Sequence, residues 1–333
     1  MSGAMMPQFD LPLSELETYR PDVREPADFD EFWARTLAEA RSVPLDVQMA
    51  DAGAGLGGVD IQDVTFPGFG GQPIRAWYAR PRAATGDLAC VVEIAGYGGG
   101  RGLPIEHTLW PAEGIATLWI DSRGQGSEWG NGGHTADVGA TGPASSGVMT
   151  RGIDDPHDHY YRRMFTDAVR GVDAARALPG VDPERVFFAG TSQGGGVALA
   201  VSGLVPDLAG VMADVPFLCH FERAIAITDD FPYGELVRYL AVHRDARDKV
   251  FGTLSYLDAA NHARRAHAPL LTSAALRDGI CPPSTVFTAF NRYGELAPSA
   301  PAKAIEVYPD NGHEGGQGFQ TMKRLEFVRS ILS

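Results

Sequence analysis

The run Arg185-Val-Phe-Phe-Ala-Gly-Thr-Ser-Gln-Gly-Gly-Gly196 constrains the rest of this chain more than any other stretch. Its β-branched and aromatic first half reads as a strand, and Val197-Ala-Leu-Ala-Val201 beyond it reads as a helix. Between them, Gly190-Thr-Ser-Gln-Gly194 has the Gly-x-Ser-x-Gly spacing of a nucleophile elbow, a sharp strand-to-helix turn that exposes a serine. A serine hydroxyl is a weak nucleophile and must be presented to a base, which is what such a turn does. Glycines at both ends let the strand and helix approach closely. The backbone amide of Gln193 falls at the helix N-terminus, where it can donate to a developing oxyanion. Ser192 is therefore the candidate nucleophile. In a chain with 40 glycines the spacing alone could mark an ordinary turn. The strand before and the helix after separate it from one.

Folds organised around such an elbow place an acid and then a histidine after the serine in chain order. Of the nine histidines, His107, His134, His157 and His159 precede Ser192, and His220, His243, His262 and His267 lie in or beside a segment read below as an insertion. His313 follows the last strand-like run, Ala304-Ile-Glu-Val-Tyr308, in a glycine-bearing loop, and is the candidate base. Asp278 directly follows the strand-like Pro269–Ala274 run, in a loop shaped by Gly279 and Pro282-Pro283, and is the candidate acid. Its rival is Asp310, three residues before His313, but so close a neighbour more often shapes its own turn.

Strand-like runs alternate with helical ones over most of the chain, which predicts an α/β fold with a mainly parallel central sheet flanked by helices. A helix opening at Glu25-Pro26, with Phe29, Trp33, Leu37 and Ala40 on one face, belongs to an N-terminal extension over residues 1–50. Gly53–Gly58 matches Gly-x-Gly-x-x-Gly, but a strand follows it where a dinucleotide site needs a helix, so it reads as a flexible turn. Leu88–Ile94, nearly continuous in apolar residues, fits a strand buried on both faces. It ends in Ala95-Gly-Tyr-Gly-Gly-Gly100, the loop position that supplies a second oxyanion amide, here that of Tyr97. Arg123 and Gln125, after the Ile115–Ile120 run, are expected to organise their glycine-rich loop rather than to catalyse. A helix from Tyr160 buries Tyr161, Met164, Phe165, Ala168, Val172 and Ala175. Residues 216–268 exceed what one crossover helix needs and read as a helical cap-like insertion within a single domain spanning 1–333. The terminal helix carries Met322, Leu325, Val328 and Leu332, with Glu314 at its start.

A net charge of -14 without any Lys/Arg cluster disfavours nucleic-acid binding, which needs a basic face. The opening residues lack a charged segment followed by an apolar core, so no signal peptide is expected. No apolar run is long enough to span a bilayer. Cys90, Cys219 and Cys281 are odd in number and far apart, against a disulfide framework or a zinc site. His157-Asp-His159 would need a strand to place both rings on one face, and it runs into a helix instead, so no metal is expected there.

Taken together, these residues resemble the acetyl xylan esterase and cephalosporin C deacetylase family of carbohydrate esterases. The resemblance rests on Arg123-Gly-Gln-Gly126, Gly190-Thr-Ser-Gln-Gly194 and His313-Glu314 in order, reinforced by Thr150-Arg-Gly-Ile-Asp-Asp155, Tyr160-Tyr-Arg-Arg, Thr166-Asp-Ala-Val169 and Asp278-Gly-Ile-Cys-Pro-Pro-Ser-Thr285. The opening, Leu11-Pro-Leu with Pro26-Ala-Asp-Phe-Asp-Glu-Phe-Trp33, is also similar. The resemblance implies an α/β-hydrolase fold, Ser192 as nucleophile, Asp278 as acid, His313 as base, and oxyanion amides from Tyr97 and Gln193. It further implies removal of acetyl groups from xylo-oligosaccharides, other acetylated sugars and cephalosporins, without cofactor or metal, by a cytoplasmic ring-like hexamer. Gly279 departs from the family's pattern, as does His157-Asp-His159. A broader short-chain carboxylesterase or a serine peptidase on the same fold, and a catalytically silent binding protein, are the alternatives.

Overall fold

The computed structural model describes residues 7–140, 142, 144–145 and 147–333. The opening residues 1–6 and positions 141, 143 and 146 lie outside the described residues. The chain packs as two compact units, each assembled from separate segments: Met1–Phe29, Gly147–Arg162 and Gly190–Ser333 in the first, Asp30–Ser146 and Arg163–Ala189 in the second.

The second unit holds strands β1 (Gln48–Asp51), β2 (Val59–Pro67), β3 (Pro73–Pro81), β4 (Leu88–Ile94), β5 (Ala116–Ile120) and the body of β6 (Val181–Thr191), in the spatial order β1-β2-β3-β5-β4-β6. Two regimes meet in this sheet. From β1 to β5 every pairing is antiparallel, the β2–β3 hairpin running in register from Val59 opposite Pro81 to Pro67 opposite Pro73. Parallel pairing sets in between β5 and β4. The hairpin follows from chain length, since the few residues between β2 and β3 can return the chain antiparallel but cannot make a parallel crossover. The apolar run of β4 is buried from Ala89 to Ile94, as a strand covered on both faces requires. On the helix Tyr160–Ala177 all the expected face residues are buried. Gly171 on that helix lets Ile120 of β5 pack directly on it, because a Cβ there would stand 2.1 Å from the Ile120 side chain.

In the first unit, β7 (Gly210–Asp214), β8 (Leu270–Ala275) and β9 (Lys303–Tyr308) pair in parallel in that order. Residues 216–268 carry four helices, Phe221–Ile227, Tyr233–Val242, Arg247–Leu254 and Ala259–Ala263. Leu16 packs with Ala274, Leu276, Val286 and Phe287, so the start of the chain forms part of this core. The terminal helix Gln317–Leu332 departs from the expected face: Val328 is buried but Met322 is half exposed, and the other inward residue is the polar Gln320. Glu314 does not open that helix, which begins three residues later with Gly316 at its N-cap. It sits in the preceding turn, where the Asn311 side chain donates to its carboxylate at 2.8 Å and holds it below the usual carboxylate range. Among the described residues no helix is long and apolar enough to cross a membrane.

Candidate active site

At the end of β6 the backbone turns through Ser192, whose φ of 58° and ψ of −118° lie outside the regions non-glycine residues prefer. Such a conformation costs roughly 1–3 kcal/mol and persists where surrounding structure enforces it. Three backbone bonds do so: Ser192 N–H donates to the Asp214 carbonyl at 2.9 Å, and the Ser192 carbonyl accepts from Phe217 at 2.9 Å and Gly196 at 3.0 Å. Gly190 is needed because a Cβ there would come within 2.2 Å of the Gly194 backbone. The helix Gln193–Leu204 starts immediately, and the buried Gln193 side chain accepts from the Tyr161 hydroxyl at 3.0 Å.

Asp278 follows β8 and is fully buried. Its Oδ1 accepts from the amides of Ile280 at 2.8 Å and Cys281 at 2.9 Å, which leaves Oδ2 to face His313 Nδ1 at 2.9 Å. A carboxylate can only accept, so Nδ1 carries the imidazole proton and Nε2 presents its lone pair. That nitrogen lies 2.9 Å from Ser192 Oγ. The loop Gly279-Ile-Cys-Pro-Pro thus orients the carboxylate and the carboxylate orients the ring. Asp310, the rival acid, is exposed and sits 3.9 Å from Arg277.

The expected loop residues lie in the other unit, where they form a network of their own. The Tyr97 carbonyl accepts the Trp129 indole N–H at 2.6 Å, the next amide, Gly98, donates to Gln125 Oε1 at 2.7 Å, and the Gly96 carbonyl accepts from Gly99 at 3.1 Å. Both peptides that flank Tyr97 are therefore fixed. Arg123, without any exposed surface, donates to Asp167 at 2.7 Å, to Asp137 at 3.3 Å and to Gln72 at 2.7 Å, while Arg163 pairs with Asp137 at 2.8 Å. Asp167 Oδ1 also accepts from the Phe69 amide at 2.8 Å. Removing one member of a buried charge network strands its partners. Arg123→Met should accordingly destabilise the folded protein by about 3–5 kcal/mol, read from urea unfolding curves. A shift smaller than about 1 kcal/mol would mean that the cluster is dispensable.

His157 and His159 are not brought together. His157 is exposed and bonds Asp155 at 2.9 Å, whereas His159 is buried with Nε2 3.1 Å from the Met149 carbonyl. Sequence reasoning missed the support under the elbow: Gln320 and Arg324 of the terminal helix hold the Asp214 carboxylate at 2.7 and 2.6 Å, directly behind the carbonyl that receives Ser192 N–H. Burial pushes the Asp214 carboxyl up, against the opposing pull of Arg324. It also missed Cys281, whose thiol lies within 4.8 Å of ligating atoms of both Asp278 and His313. The short Asp278-x-x-Cys281 spacing was the available signal.

The fold and the elbow together define an α/β-hydrolase. The chain belongs to the acetyl xylan esterase (AXE1) family, which it matches over residues 6–331, and so stands among the carboxylic ester hydrolases. It is 35% identical to an acetyl xylan esterase from Paenibacillus sp. R4, with a TM-score of 0.86 over 96% of this chain and 99% of that one. It is 33% identical to Acetyl Xylan Esterase 1 from Thermoanaerobacterium sp. JW/SL YS485, with a TM-score of 0.87 over 98% of this chain and 100% of the other. Acetyl esterase Axe7A of Xylanibacter ruminicola is 24% identical over 307 residues, covering 89% of this chain, which spans about 65% of that protein's length.

Proposed function

We propose that this chain is a serine acetylesterase that removes acetyl groups from xylo-oligosaccharides and other small acetyl esters, cephalosporin C among them. The observation that carries the reading is the unbroken relay from Asp278 Oδ2 through both nitrogens of His313 to Ser192 Oγ, with 2.9 Å at each joint. His313 Nε2 takes the Ser192 proton as Oγ attacks the acetyl carbonyl, and Asp278 stabilises the imidazolium that results. The Gln193 amide, the first of the elbow helix, donates to the oxyanion; Tyr97 is the second donor by its position in the sequence. Collapse of the tetrahedral intermediate breaks the bond to the sugar oxygen, which leaves with the proton from His313. Water, deprotonated by the same nitrogen, then releases acetate and restores Ser192.

Hydrolysis of nitrophenyl esters from acetyl to octanoyl tests the substrate class. A closed acyl pocket rejects added methylenes, so kcat/KM is expected to fall at least about 100-fold across the series. Flat or rising activity would favour the broader carboxylesterase reading. Labelling by a fluorophosphonate should map to the peptide containing Ser192, and a folded protein that takes up none would point to a silent binding protein.

A further inference from the structure

Asp278, Cys281 and His313 each offer a metal-ligating atom, and these atoms all lie within 4.8 Å of one another. The relay uses the carboxylate and the imidazole but leaves the Cys281 thiol without a task. That thiol is almost fully buried. We propose that these three side chains form an inhibitory site for a thiophilic divalent cation, Zn2+ or Cd2+, which silences the relay reversibly by capturing His313.

The donor set fits a borderline-soft ion. Thiolate, imidazole and carboxylate fill three of four tetrahedral positions, and the fourth is left for water. Ligand atoms around tetrahedral zinc stand roughly 3.3–3.8 Å apart, given its bond lengths, so closure needs only a small contraction of the Gly279–Cys281 loop. Hard cations such as Mg2+ and Ca2+ prefer all-oxygen shells and are excluded by the thiolate and imidazole. The balance is simple: the S–H proton leaves to solvent, the metal–sulfur bond forms, and His313 donates a nitrogen lone pair. Only the thiolate ligates the metal, so binding displaces that proton. Capture of Nε2 removes the lone pair that would accept the Ser192 proton. Capture of Nδ1 breaks the bond to Asp278. Either outcome stops proton transfer.

The inhibitory consequence rests on the serine-esterase reading, whereas metal binding does not, and the two can be tested apart. Acetyl ester hydrolysis by wild type, Cys281→Ser and Cys281→Ala would be titrated with Zn2+ in a non-coordinating buffer, each protein referred to its own metal-free rate. Inhibition of the wild type should be relieved by a chelator and absent with Ca2+, and loss of the sulfur ligand should weaken it at least about 10–100-fold. Cd2+ would be titrated into Ser192→Ala and into Ser192→Ala/Cys281→Ala, with the thiolate-to-cadmium charge-transfer band in the ultraviolet as the readout. One equivalent with that band in the first protein, and no band in the second, is expected. Equal zinc sensitivity with and without the sulfur, or no band in Ser192→Ala, would overturn the site. Should the wild type fail to cleave acetyl esters, the cadmium titration still decides the site.

Discussion

Replacing Ser192 with alanine is expected to lower kcat for acetyl ester hydrolysis by about 10,000- to 1,000,000-fold, while the protein remains folded. The strain at position 192 belongs to the backbone, and alanine, which also carries a Cβ, occupies φ 58° at the same cost as serine. The turn is held by main-chain bonds to Asp214, Phe217 and Gly196, none of which involves the hydroxyl. The hydroxyl makes no bond to the helix it precedes and faces His313 Nε2 at 2.9 Å. Its removal therefore takes away the proposed nucleophile and leaves the architecture. The variant should keep the far-ultraviolet spectrum and unfolding midpoint of the wild type, and it should lose the fluorophosphonate label. Hydrolysis that survives at more than about one hundredth of the wild-type rate would shift the chemistry to another group, since a residual from binding and oxyanion donors alone falls far below that.

What could be read in the sequence follows from where local rules dominate. The elbow was legible because backbone crowding at Gly190 admits only glycine and the flanking runs have opposite periodicities. The helix Tyr160–Ala177 was legible because its apolar stripe is uninterrupted. β1 left no trace: all four of its residues are exposed, so edge pairing alone defines it. The antiparallel pairing from β1 to β5 was hidden by the expectation that strands alternating with helices pair in parallel, although the short link between β2 and β3 carried the hairpin signal. The terminal helix misled because Phe319 and Met322 are turned outward while Gln320 is buried to hold Asp214. Buried polar pairs of that kind join residues distant in sequence, as Arg324 and Asp214 do. The same holds for Cys281, whose thiol comes within 4.8 Å of a His313 ring nitrogen only once the chain has folded. Asp278 and His313 were named as candidates by chain order rather than by packing.

The loop around Asp278 also decides what asparagine would do there, and Asp278→Asn should reduce kcat about 10,000-fold. In the wild type Oδ1 takes two amide hydrogens, from Ile280 and Cys281, and Oδ2 takes the Nδ1 hydrogen of His313. An asparagine has one acceptor to divide between these sites. The two loop amides can be satisfied only by its oxygen, because an NH2 group accepts nothing and would leave both donors buried without partners. The amide nitrogen is thereby turned toward His313 and donates to Nδ1. The ring must then carry its proton on Nε2, which faces Ser192 Oγ as a donor and can no longer receive the hydroxyl proton. Asp278→Asn is thus expected to fold, to keep KM near the wild-type value, and to lose the chemical step. Asp310→Asn is the paired control: its side chain is exposed and meets only Arg277 at 3.9 Å among the described residues, so kcat should change by less than about threefold. A large loss on Asp310→Asn together with a small one on Asp278→Asn would transfer the role of acid to Asp310 and require the His313 loop to reorganise during catalysis.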